Sequence, residues 1–476
     1  MDVVLKVVYG LPAYIQDQLA FISTDPLPWK ESVLGFSWFV YLFESYLTAR
    51  QFSMYKISAP PPELVEHFPS DKFLKGQKYG AAKARFSIVS GFINQIIETA
   101  FIHFDIYAMT WALAGSILQR FGFHGNYEIS QSLIWGTLLF LCSSIPTIPL
   151  SYYQTFVLEE EYGFNKTTRG LFFADLIKGW GLGATFGLPF LAAFLWIIKK
   201  AGDSFIPYLM GFIVSMQLIF VVIYPLLIQP LFNKLSPLPE GTLRTRIEGL
   251  AGGLHFPLKH LYVIDGSKRS SHSNAYFYGL PWSKHIVIFD TLIQKTPEDQ
   301  IEAVLAHELG HWQYSHPSKL LLISQVHLYA MLSVFPPFLR SSPLLRSFNF
   351  PPSVAAVPPT MVAFMLFQLV QGPIDTIIRV GMNAISRRFE FQADQFACEF
   401  DEKTPVEGEV KEALMGDRLG KALISLHVGN LSTVWVDWLY STWHFSHPTL
   451  MERLKAMKDI KSGQASKRLL AEKKEL

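Results

Sequence analysis

The chain has 476 residues, 50% of them hydrophobic and 14% aromatic, with only 17% charged and a mean hydropathy of +0.23. A soluble domain carries about 25% charged residues, so the composition excludes an ordinary soluble protein and points to an α-helical polytopic membrane protein. The formal net charge of +2 gives no reason to expect a nucleic-acid partner. Two cysteines, Cys142 and Cys398, argue against a disulfide framework or a cysteine-ligated metal.

In chain order, the segment from Met1 carries Asp2 and Lys6 before a short broken apolar stretch, without a small-residue cleavage site, so no removable signal peptide is expected. Seven apolar runs of spanning length follow, at roughly 33–49, 88–118, 132–152, 171–198, 205–229, 319–340 and 355–380. They divide the chain into spans one to five with their loops (1–229), a soluble subdomain (230–318), spans six and seven (319–380) and a C-terminal subdomain (381–476). The lipid bilayer is therefore an expected partner.

The loop between the first two spans holds Arg50, Lys56, Lys72, Lys75, Lys78, Lys83 and Arg85, whereas the loop around 119–131 holds only Arg120. The positive-inside rule makes the first loop cytosolic, the N-terminus lumenal and, after seven crossings, the C-terminus cytosolic. The sequons Asn165-Lys166-Thr167 and Asn430-Leu431-Ser432 then fall in cytosolic segments and are expected to stay unglycosylated. Glu44, Asn94, Gln95, Glu98, His103, Asp105, Gln217, Gln368 and Asp375 lie within spans. The cost of placing charge or amide against lipid predicts that these groups face one another or a water-filled space.

In the soluble subdomain, Leu261–Ile264 and His285–Phe289 read as short strands, with Ser271 to Gly279 between them. If the last of these forms an edge strand, a substrate can add to it and Asn274 can hold a substrate carbonyl or amide; simple structural pairing is the alternative. Thr296-Pro297-Glu298-Asp299 is a helix-start signal with Thr296 as N-cap, and Ile301, Val304, Leu305 and Leu309 recur at helical spacing. Mid-helix stands His307-Glu308-Leu309-Gly310-His311. Residues four apart share a helix face, so both imidazoles can bind one tetrahedral zinc ion while the Glu308 carboxylate takes a proton from water. His316 lies about 140° around a continuous helix from His311, which places it off that face as a helix-end or interfacial histidine.

A third ligand must come from elsewhere. Glu390-Phe391-Gln392-Ala393-Asp394 offers an i,i+4 pair of acids, in which Glu390 could ligate and Asp394 could accept from the far nitrogen of a ligand histidine. The same spacing suits a solvated face paired with Arg387 and Arg388, and spacing alone does not choose between them. Near the end, Trp443-His444-Phe445-Ser446-His447-Pro448 leads into Glu452-Arg453. His447 could donate to an oxyanion and Arg453 could support it or bind a carboxylate, or both could be ordinary helix-start residues.

The Gly266–Gly279 segment, the His307–Trp312 segment, Ser386 to Asp394 and Trp443 to Pro448, in this order, closely resemble the type I CAAX prenyl proteases, as does Pro60-Pro61-Pro62-Glu63-Leu64. The resemblance covers nearly the whole chain; the polar stretch near 401–413 is unmatched. It implies a seven-helix transmembrane barrel around a large chamber, capped by a zincin-like α+β catalytic domain, in the endoplasmic reticulum or inner nuclear membrane. It implies one Zn2+ on His307, His311 and Glu390, Glu308 as general base, Asp394 supporting a ligand, His447 acting on the transition state, and Asn274 and Arg453 binding substrate. The implied substrate is a farnesylated or geranylgeranylated CAAX protein that loses its C-terminal tripeptide, in some cases with a second upstream cut. A general membrane quality-control protease shares the same active site, and a non-catalytic scaffold or transporter is the reading from a different class. Lys473-Lys474-Glu475-Leu476 fits a cytosolic di-lysine retrieval signal, or a plain basic tail.

Overall fold

The computed structural model describes residues 10–125, 127–403 and 414–463, so the 404–413 part of the polar insertion and the tail signal lie outside the described residues. Apolar runs without water must satisfy their backbone internally, and every expected span falls in helix. The first is α1 (Trp29–Met54) and the second begins in α2 (Ser70–His103). The 88–118 run is not one straight crossing. It bends by 64° between α2 and α3 (Ile106–Arg120), where Asp105 takes a left-handed conformation (φ 56°). The third run lies in α4 (Glu128–Tyr162).

The fourth and fifth runs are two limbs of one helical stretch, α5 (Arg169–Phe232). It doubles back at Gly202, whose φ of +55° favours glycine, and Phe190 meets Phe212 and Phe186 meets Phe220 at 5.1 and 5.5 Å across the hairpin. Four helical runs among the described residues are long and apolar enough to cross a membrane alone, and the bent pair makes a fifth. Glu44 and the Ser and Tyr residues of α1 keep it less apolar, yet it packs along α2 through Trp38 on Phe92 and Thr99. Between 0 and 28% of each apolar window is buried. Few residues of each apolar window are fully buried, so the spans pack against neighbours without filling a solid bundle. Their polar residues find each other: Gln95 donates to Ser37, Gln325 to Gln217, Arg379 to Glu44 at 2.6 Å, and His327 lies 3.8 Å from Asp375.

Beyond α5 comes a four-stranded sheet, β1 (Leu235–Pro237), β2 (Leu258–Ile264), β3 (Ala275–Leu280) and β4 (Ser283–Phe289), in the order β1-β2-β4-β3. β2 and β4 are parallel, β3 is antiparallel to β4, and β3 is an edge. Ile286 and Ile288 alternate toward α6 (Thr242–Gly253) and α8 (Glu298–Gln313), joining Ile247, Leu305 and Leu309 in one core; α7 (Asp290–Lys295) links β4 to α8. Pro297, not Thr296, occupies the N-cap of α8, because Thr296 still takes extended backbone and its N–H donates to Leu292.

The chain re-enters the membrane segments as α9 (His316–Leu339) and α10 (Thr360–Lys403), and ends in α11 (Met415–Gly429), α12 (Trp438–His444) and α13 (Leu450–Lys461). Phe396 and Phe400 of α10, Leu419 and Leu423 of α11, and Leu450 and Met457 of α13 complete the core beneath the sheet. Leu64, Phe68 and Phe73 of the basic first loop belong to it too. That loop and the catalytic subdomains therefore share one end of the molecule. A second core, around Trp135, Phe205, Phe335 and Phe348, closes the other end.

Candidate metal centre

α8 and α10 touch at Gly310, where a Cβ would lie 3.0 Å from the Phe396 ring and 3.2 Å from Ala393 Cα. That close crossing brings two histidines and one carboxylate together. His307 and His311 project from one face of α8 with their Nε2 atoms 3.2 Å apart. Glu390 of α10 sets Oε2 3.4 Å from His307 Nε2 and Oε1 3.3 Å from His311 Nε2. Glu390 is 6% exposed and does not pair with Arg387 or Arg388; Arg387 donates to the Ser441 carbonyl. The solvated-face alternative does not describe this helix.

The far nitrogens of both imidazoles are engaged. His307 Nδ1 lies 2.9 Å from Asp394 Oδ1, which holds the tautomer that leaves Nε2 a lone pair. Burial pulls the His307 pKa down, but the adjoining Asp394 and Glu390 carboxylates outweigh it and hold the metal-free ring at about 9. A cation arriving at Nε2 replaces that proton. Asp394 is fully buried and accepts Arg453 Nε at 2.8 Å and Nη2 at 2.6 Å. A Thr449–Glu452 capping box starts α13 and fixes Arg453 in its first turn.

Arg453 is 8% exposed, and its guanidinium is held by Asp394, with Nη1 3.7 Å from Glu390 Oε2. His311 Nδ1 lies 3.0 Å from His316 Nδ1. His316 is a helix-end histidine outside the candidate ligand group, as expected, but it reaches His311 from the side because Ser315 (φ 55°) breaks the helix and Pro317 restarts it. His316 is buried, stacked at 4.2 Å on Phe389, with Nε2 2.9 Å from Gln392 Oε1. Pro317 was the signal in the sequence for that break.

Glu308 is half-buried beside the pair and burial raises its carboxyl above the usual range, with His307 and His311 opposing. His447 is 65% exposed, with Nε2 3.4 Å from Glu390 Oε1 and Nδ1 3.0 Å from Ser446 Oγ. Asn274 sits just before β3, where its Oδ1 accepts from the Ala275 N–H at 2.9 Å. Glu308, His311, Glu390, His447 and residues 276–279 of β3 line a cavity of about 850 Å³, which Phe220, Val221 and Tyr224 of α5 also line.

The residues present fit a divalent metal. Ligand atoms of His307, His311 and Glu390 lie within 4.8 Å of one another, and the buried Glu390 Oε2 has no hydrogen-bond partner. Two imidazoles and a carboxylate leave an open coordination position, the pattern of a catalytic and not a structural metal site. Such a site, shared between a soluble helix and a helix that continues into the membrane, defines an integral-membrane metallopeptidase.

Residues 51–234 match the CAAX prenyl protease N-terminal region, described as five membrane helices, and residues 237–461 match peptidase family M48. The chain is 40% identical over 455 residues to CAAX prenyl protease 1 of Saccharomyces cerevisiae, covering 93% of this chain and 98% of that protein. It is 37% identical over 469 residues to a CAAX prenyl protease 1 homolog of Homo sapiens, covering 90% and 95%. The crystal structure of S. mikatae Ste24p superposes with a TM-score of 0.82 at 40% identity, over 90% of this chain and 99% of that one. The chain belongs to the CAAX prenyl protease 1 family of M48 metalloproteases and is a multi-pass membrane protein.

Proposed function

We propose that this protein is a zinc endopeptidase of the endoplasmic reticulum membrane that cuts after the prenylated cysteine of a farnesylated or geranylgeranylated CAAX protein and releases its C-terminal tripeptide. One observation carries the reading. The metal-binding group and an apolar wall from a membrane helix line the same cavity, which is what a reaction between a lipid-modified peptide and water requires. The names of the relatives supply the substrate class.

His307, His311 and Glu390 would hold zinc, the ion that suits nitrogen and carboxylate donors with an open position. When bound, it would polarise the scissile carbonyl and acidify a water molecule. Glu308 takes the proton and returns it to the leaving nitrogen, and its upward shift brings it nearer the working pH. Asp394 orients His307, Arg453 holds Asp394, and His316 braces His311. His447 donates a hydrogen bond to the carbonyl oxygen as that oxygen gains charge. Asn274 and the β3 edge bind the peptide backbone. The basic first loop shares the catalytic end, which supports a cytosolic catalytic domain, a lumenal N-terminus and a cytosolic C-terminus.

Purified protein in detergent should hydrolyse a farnesylated CAAX peptide, lose the activity to a chelator and regain it with zinc. No hydrolysis by metal-loaded protein refutes the proposal. Equal rates on the unprenylated peptide would replace it with the broader quality-control reading.

A further inference from the structure

Half the backbone groups of an edge strand have no strand to bond. Phe289 N–H donates to the Asn274 carbonyl, and in an antiparallel ladder the residues that exchange bonds with the partner alternate. Tyr276, Tyr278 and Leu280 therefore bond to β4, while Ala275, Phe277 and Gly279 turn their groups to the free edge. Side chains close both ends of that edge. Asn274 Oδ1 takes the Ala275 N–H at 2.9 Å, and Lys284 Nζ donates to the Gly279 carbonyl at 2.7 Å. The Ala275 carbonyl, both groups of Phe277 and the Gly279 N–H remain open, enough for a strand of about three residues.

The two ends of the open edge differ in chemistry. The cavity walled by Phe220, Val221 and Tyr224 runs along Tyr276 to Gly279 and does not reach Asn274. At the Asn274 end, beside Ser273, lies a second cavity of about 750 Å³. Lys72 of α2, Lys295 of α7 and Lys421 of α11 line it, with no acidic side chain among the lining residues. Lys295 donates to the Ser271 carbonyl, and burial together with nearby Lys166 lowers its pKa. Three cations from separate helices around one concavity favour an anion. Lys72 stands thirteen residues before Arg85, the last charge ahead of the apolar part of α2, which is about 20 Å along the helix axis. That height is beyond the headgroup layer, so lipid phosphate is not the anion.

We propose that this basic cavity receives the C-terminal carboxylate of the peptide substrate, an inference that rests on the prenyl-peptidase reading above. Matching the prenyl group to the apolar end and the carboxylate to the basic end fixes the direction of the bound chain. It runs antiparallel to β3, the more stable of the two pairings.

The test compares farnesylated CAAX peptides ending in a free carboxylate or in a carboxamide. The wild-type protein should favour the acid by roughly tenfold, expressed in KM. Lys72→Gln with Lys421→Gln, two exposed residues away from the metal centre, should erode that preference while kcat and the rate on the amide hold. Added salt should shrink the preference too. An unchanged acid-to-amide ratio in the double variant overturns the proposal. So does loss of the ratio in Lys284→Gln alone, which would put the carboxylate at the opposite end of β3. Failure of the wild-type protein to cleave either peptide removes the prenyl-peptidase reading and this inference with it.

Discussion

Asp394→Ala separates the two tasks of one buried carboxylate. The substitution strips the Arg453 guanidinium of hydrogen bonds at 2.8 and 2.6 Å and removes the partner of His307 Nδ1 at 2.9 Å. Asp394 is 0% and Arg453 8% exposed, so water cannot replace the lost carboxylate without local opening. Breaking one member of a buried ion pair costs about 3–5 kcal/mol. Glu390 Oε2, 3.7 Å from Arg453 Nη1, offsets part of that and puts the expected loss near the lower figure. Metal affinity should fall about 10- to 100-fold as well, because His307 is no longer held in register. Unfolding of the metal-free protein in detergent measures the first effect, and competition with a chelator measures the second. Asp394→Leu combined with Arg453→Met removes both charges and should recover most of the stability, while affinity stays low. A loss below about 1 kcal/mol in Asp394→Ala, against the range expected for a buried pair, or recovered affinity in the double variant, refutes this account of the pair.

Glu308→Gln should keep its metal and lose about 10²- to 10⁴-fold in turnover; near-normal turnover assigns the proton to another group. His447→Ala should retain metal and substrate binding while kcat falls about 10²- to 10³-fold. Loss of metal instead would make His447 a ligand. Neither Asn165 nor Asn430 should carry a glycan, and a glycosidase-sensitive mass shift mapped to either would invert the orientation. The hydrogen bond from Arg50 holds the Asp437 carboxyl below its usual range. The stabilisation is therefore full above the unfolded carboxyl pKa of about 3.9 and fades as pH falls through the folded value. Asp437→Asn should flatten the acid limb of an unfolding profile, and an unchanged limb would show that the pair contributes nothing there.

What was legible in the sequence follows from the range of each signal. The i,i+4 spacing of His307 and His311 is local helix geometry, and so is the alternation that marks β4. The meeting of Glu390 with those histidines is a long-range crossing that only Gly310 hints at, through the contact a larger residue would prevent. The residues around Arg453 leave open whether it supports an oxyanion, binds a carboxylate or starts a helix, and they do not show its contact with a carboxylate of the protein fifty-nine positions away in the chain. The 88–118 run reads as one apolar span, since hydropathy carries no information about the turn at Asp105. His316 stands at a helix end and outside the candidate ligand group, as its spacing suggests, but its contact with His311 depends on the break at Ser315, which an angle on a continuous helix does not carry.

Glu390, the carboxylate of the candidate metal centre, sits on the 44-residue helix α10, about 66 Å long, that begins among the membrane segments at Thr360. The two histidines sit on α8, a separate helix outside the membrane segments. The centre is therefore hung from two supports, one of which rides in lipid. A thinner or thicker bilayer changes the tilt and depth of a spanning helix, and no loop separates the lipid-facing part of α10 from Glu390 to absorb the movement. Pro373 is the point inside it where the hydrogen-bond ladder lacks a donor. Any tilt of α10 is carried to the crossing at Gly310, where the helix that bears His307 and His311 packs against it.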